Sequence, residues 1–172
     1  MSNFDQKNQK VGTQYNADKI IFNTPPVPNA TELLEKGKNI LAIKSYLQAK
    51  KIFEQCLEIT SDIPEVYCYL SISLVCGRRP KLLDISTIRV IENYLKIAIK
   101  IQPNLGFAYV LWALIKYDFY ILNGMHDRPP SYQDLLQEKW SLSQYQIQEI
   151  IQYMDQLRES DNPVFLWLQK QA

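Results

Sequence analysis

Apolar residues recur at helical spacing through long stretches of this 172-residue chain, and prolines interrupt the pattern at 25, 26, 28, 64, 80, 103, 129, 130 and 163. A proline inside a helix costs about 3 kcal/mol, so each one marks a connection or a first turn. The spacing predicts helices at about 30–41, 45–60, 64–76, 86–102, 106–123, 131–139 and 143–159. Asn29 or Thr31 can cap the first, because a short polar side chain accepts from free backbone amides. Ser143 with Gln146 forms the pattern of a capping box for the last. Gly77 and Gly124 stand where helices need a left-handed residue to end. The tail Val164-Phe165-Leu166-Trp167-Leu168 is too apolar to stay in water and is expected to dock on the bundle.

Residues 1–28 are of another kind. They are polar, rich in Asn, Gln and Lys, and end in Thr24-Pro25-Pro26-Val27-Pro28, the composition of an extended, semi-rigid linker. Within them Val11, Thr13 and Tyr15 alternate with polar or small residues, and Ile20-Ile21-Phe22 follows a turn signal at Asn16-Ala17-Asp18, so a short strand or hairpin is one reading and a disordered tail another. The expected division is a flexible segment at 1–28 and a helical domain at 29–172.

Charge narrows the partners. Lys+Arg number 19 and Asp+Glu 18, a formal net charge of +1, which gives no general attraction to nucleic acid or anionic membrane. Arg78, Arg79 and Lys81 form the one basic cluster, a solvated loop or a contact for an acidic partner or a phosphate. Three cysteines, Cys56, Cys68 and Cys76, lack metal-ligand spacing and read as small core residues; no metal or other cofactor is expected. With no apolar signal core at the start and no apolar run of about 20 residues, the expected setting is a reducing cytoplasm. The sole histidine, His126, sits in Asn123-Gly124-Met125-His126-Asp127-Arg128 without a local nucleophile. Five scattered glycines build no phosphate loop. Catalysis is not expected, and an atypical site near His126, Asp127 and Arg128 is the enzymatic alternative.

The helical region repeats. The start at Ala30 lies 34 positions before Pro64, and Pro64 lies 42 before Gly106. Leu33 and Gly37 match Tyr67 and Ser71, then Tyr109 and Ala113. Ala49, Phe53 and Cys56 match Ile91, Leu95 and Ala98, with Pro103 closing the second unit. Small residues let paired helices approach, and large ones fill the gap to the next pair. Over about 30–123 this resembles the tetratricopeptide (TPR) pattern. Ser61 stands in place of the first unit's closing proline, the loop 77–84 replaces a tight turn, and 124–172 do not repeat. The resemblance implies an all-α fold of stacked antiparallel helix hairpins with a C-terminal helical cap and an extended or disordered N-terminal segment.

In TPR proteins the first helix of each pair lines a groove that holds a peptide or helix. The matching positions here are Leu34, Lys38 and Leu41, then Glu65, Cys68, Ile72 and Val75, then Phe107, Val110, Leu114 and Tyr117, a surface that is mostly apolar. Such a surface rarely stays open to water, so either the chain's own residues 131–168 fill it or another polypeptide does. The resemblance therefore implies a non-catalytic adaptor that grips a partner protein, in the manner of components of bacterial signalling or defence systems. A structural subunit that dimerises through the groove is the alternative. Separately, Val11-Gly12-Thr13-Gln14-Tyr15-Asn16 resembles the core of RHIM-like bacterial amyloid signalling motifs, which implies homo-oligomer assembly through Val11, Gly12, Gln14, Tyr15 and Asn16.

Overall fold

The computed structural model describes residues 29–172, and these are all-helical. Eight α-helices follow in order: α1 (Ala30–Ala42), α2 (Tyr46–Ile59), α3 (Pro64–Val75), α4 (Ile85–Ile101), α5 (Gly106–Lys116), α6 (Tyr132–Gln137), α7 (Gln144–Tyr153) and α8 (Pro163–Gln171). Short polar side chains cap the starts of α1, α4, α6, α7 and α8. The Asn29 carboxamide oxygen accepts from Glu32 N at 2.8 Å, and the Glu32 carboxylate accepts in return from Asn29 N. Asp84 accepts from Thr87 N at 2.8 Å, and Ser143 and Gln146 complete the box read from the sequence. Pro64 and Pro163 open α3 and α8, where a missing N–H costs nothing. Gly77 and Gly124 both take a positive φ of 66°.

Which helices lie at the centre follows from their composition. α1, α2 and α4 each bury one stripe: Leu33, Gly37 and Leu41; Ala49, Phe53 and Cys56; Ile88, Ile91, Leu95 and Ala98. α5 buries every residue from Gly106 to Lys116, and α3 nearly every one, as helices that are apolar all round must. Each helix from α1 to α5 packs on the next, and α1, α3 and α5 also touch in a row. α5 then meets α6, α7 and α8. The spacing of matched residues carries through to atomic detail. Tyr67 Oη donates to the Ser61 carbonyl and Tyr109 Oη to the Pro103 carbonyl, each at 3.1 Å and each six residues back.

Two expected helices end earlier than their pattern suggests. The helix expected over 106–123 is α-helical only to Lys116; a π-turn over Tyr117–Ile121 follows and carries Asp118 into the interior. The helix expected over 143–159 ends at Tyr153, and a 3₁₀ turn at Asp155–Leu157 tucks Leu157 under the fold. The apolar tail docks as expected, and does so as a helix, α8, which buries Val164, Phe165 and Leu168. No helix among the described residues is long and apolar enough to cross a membrane.

Candidate functional site

The eleven groove positions read from the sequence do not form an open channel. Leu41, Cys68, Ile72, Val75, Phe107, Val110 and Leu114 are buried in the core, while Leu34, Lys38, Glu65 and Tyr117 are half-buried. The covering is the chain's own. From α7, Glu149 accepts from Tyr69 Oη at 2.8 Å, and the Tyr153 ring stands edge-on to Tyr69 at 6.2 Å. From the start of α8, Asn162 Nδ2 donates to the Leu114 carbonyl at 3.0 Å. The physical reason is area: this inner row exposes large aromatic and aliphatic side chains, and burying them is worth roughly 25 cal/mol per Å².

One part of that face stays reachable. A recess of about 280 Å³ opens between α1, α3, the start of α5 and α7, with Leu34, Lys38, Glu65 and Phe107 in its wall beside Tyr69, Tyr145 and Glu149. Glu149 is its electrostatic centre. The residue is 95% buried, yet its carboxylate takes hydrogen bonds from Tyr69 and from Tyr145 Oη at 3.0 Å, and lies 3.7 Å from Lys38 Nζ. Burial works against the Lys38 ammonium, but Tyr145 and the Glu149 and Glu35 carboxylates outweigh it and hold its pKa above the ordinary lysine value. Burial, reinforced by the Glu149 charge, pushes the Tyr69 hydroxyl well above the ordinary phenol value. Tyr145, which spacing did not single out, is 61% exposed and forms the rim of the recess.

The basic loop separates into three fates. Arg79 reaches Asp118 at 2.5 Å, where the π-turn has buried the carboxylate, and Lys81 N donates to the other oxygen at 3.0 Å. Arg79 is thus tied into the fold, Lys81 is half-buried, and Arg78 alone is exposed. The pair was hidden from sequence reading because Arg79 and Asp118 lie 39 positions apart.

The histidine loop opens on a second cleft, of about 460 Å³, between α4, α5 and the chain at 125–129. His126, Asp127 and Arg128 do not converge there. Asp127 turns inward, 2.7 Å from Lys116 Nζ, and accepts from Tyr132 N at 2.7 Å; His126 and Arg128 stay exposed at the mouth. Lys116 is 98% buried and is met also by Glu92 at 3.3 Å and by the Arg128 carbonyl at 3.0 Å. Glu92 accepts in addition from Trp112 Nε1 at 3.2 Å and Tyr120 Oη at 3.3 Å. A signal for this cluster stood in the sequence: a lysine directly after the apolar run Phe107–Ile115, Lys116, must find a partner if the helix is buried. The assembly motif residues Val11, Gly12, Gln14, Tyr15 and Asn16 lie outside the described residues.

Compared with protein-family models, with curated proteins and with solved structures, the chain has no match.

Proposed function

We propose that this chain is a non-catalytic, TPR-like protein-interaction module, an adaptor whose inner groove is held mainly by its own α7 and α8 and whose remaining recess takes a side chain of a partner protein. The observation that carries this reading is the matched register of α1 to α5. Gly37, Ser71 and Ala113 occupy equivalent buried places on α1, α3 and α5, and Phe53 and Leu95 fill equivalent gaps on α2 and α4. The two tyrosine hydroxyl bonds repeat with them. Such units bury little alone and gain stability by packing in series, which presents a rigid surface and demands no reactive group. The ionisable clusters favour the same reading, because Asp118 and Glu149 each tie distant segments together and Asp127 neutralises the buried Lys116. The recess has an apolar floor of Leu34 and Phe107 and a polar rim of Lys38, Glu65 and Tyr145, which suits one anchoring side chain flanked by polar backbone.

The test is site-directed photo-crosslinking in cells that make the full chain at its native level. A crosslinking residue at position 34 or 145 is expected to trap the same protein, and one at the exposed Lys170 is not. Loss of that adduct in a Tyr145→Ala background with unchanged helicity would confirm the recess. No adduct at either position, or an identical pattern at 170, would overturn it.

A further inference from the structure

We infer that the cleft between α4 and α5 is a second docking site, distinct from the recess, for an acidic polypeptide segment that also carries apolar side chains. Charge is the first argument. The carboxylate that lines the cleft, Glu92, is already engaged by Lys116, Trp112 and Tyr120, and Asp127 behind it by Lys116 and Tyr132 N. The cations at its mouth are not. Arg89, Lys96 and Arg128 are exposed, line the cleft, and make no ion pair with a carboxylate among the described residues. Lys96 Nζ instead stands 5.6 Å from the Trp112 ring centroid, an arrangement that presents its charge outward over an aromatic base. Lys116, Glu92 and Asp127 together sum to −1, and the three rim cations bring the site to +2.

The second argument is the apolar border. Ile85 and Met125 belong to the cleft wall and are 42% and 40% exposed. Leu82 and Ile121, one turn before each, are exposed as well, and Asn123 Nδ2 ties the two segments together by donating to the Lys81 carbonyl at 3.1 Å. A free phosphate would use the cations and leave this border wet. Nucleic acid would want an exposed stacking face, whereas the Trp112 ring is buried. A segment in which carboxylates alternate with aliphatic side chains satisfies both halves of the surface, and the pre-set walls of α4 and α5 would hold it without rearrangement.

Trp112 supplies a local reporter, because its indole N–H lies at the cleft while the other two tryptophans, Trp140 and Trp167, pack on each other elsewhere. The isotopically labelled full chain would be titrated by NMR with a peptide of alternating glutamate and leucine, with the same peptide in glutamine and leucine, with inorganic phosphate, and with duplex DNA. The indole signals are assigned through Trp140→Phe and Trp167→Phe. Saturable movement of the Trp112 indole with the acidic peptide, weakened by salt, is the expected result. The double variant Arg89→Gln/Lys96→Gln should bind that peptide about tenfold more weakly, since both positions are exposed and each surface charge contributes only modestly. Four outcomes would overturn the inference: no movement, equal movement with the neutral peptide, equal response to phosphate or DNA, or full affinity in the double variant at unchanged helicity. Crosslinking at positions 34 and 145 reads a different surface, so failure of either proposal leaves the other standing.

Discussion

At Gly37 a missing methyl group decides how closely two helices approach. A Cβ placed there would come within 2.8 Å of three carbons of the Phe53 ring, so α1 and α2 can pack at this distance only because position 37 is bare. Gly37→Ala is expected to lower stability by about 1–3 kcal/mol, the range for forcing extra volume into a filled core. Chemical denaturation would show it as a lower midpoint with an unchanged slope, and Phe53→Leu should recover part of the loss in the double variant. An unshifted midpoint in Gly37→Ala would mean that the helices are free to separate, and that the close packing is not a constraint. Ser71 meets the same demand on α3 differently: its hydroxyl donates to the Tyr67 carbonyl at 2.8 Å and so is satisfied inside the helix.

Among the helices, α7 bears most on the proposed function, because it closes the inner face through very few polar contacts. Tyr69 on α3 and Glu149 on α7 are 80 positions apart and meet in a buried, charge-assisted bond of 2.8 Å. A double-mutant cycle with Tyr69→Phe and Glu149→Gln should give a coupling of about 1–2 kcal/mol, and hydrogen exchange should show α7 opening sooner in either single variant. Exchange in α7 as slow as before would show that apolar packing alone holds it. The start of α7 was legible from Ser143–Gln146 and that of α1 as a cap at Asn29 or Thr31, of which Asn29 is the one, since caps are local chemistry within four residues. The π-turn at Tyr117–Ile121 was not. Asp118, which the turn carries inward, finds its partners Arg79 and Lys81 on another loop, beyond the reach of local pattern. The helical form of α8 was also missed, although its apolar run correctly announced that it docks.

The whole molecule stores its buried tyrosines in one protonation state, and alkali should reveal it. Burial, together with the charge of Glu149, pushes Tyr153 up to about 12; burial with Glu92 does the same for Tyr120; Tyr69 is raised as well. A phenol whose pKa is raised by folding stabilises the native state below its unfolded value of about 10, and that contribution is lost as the pH climbs through about 12. Tyrosinate absorbance followed against pH should therefore show a late fraction that ionises together with loss of helical circular dichroism, while the denatured chain titrates in one step near 10. Ionisation of every tyrosine near 10 with helicity intact would contradict the buried network.

Period, caps and repeat spacing in the chain were enough to announce an all-helical domain, to position most helices, and to match Tyr67 with Tyr109 and Phe53 with Leu95, because these depend on neighbours within a turn or on regular intervals. They could also say that Cys68, Ile72 and Leu114 must be covered, but not by what. That was settled in three dimensions, where α7 and α8 reached the inner face and Lys116 found Asp127 and Glu92. Hydrophobic burial has no direction, so a pattern can demand a covering surface without selecting one; only packing of the whole chain supplies the partner.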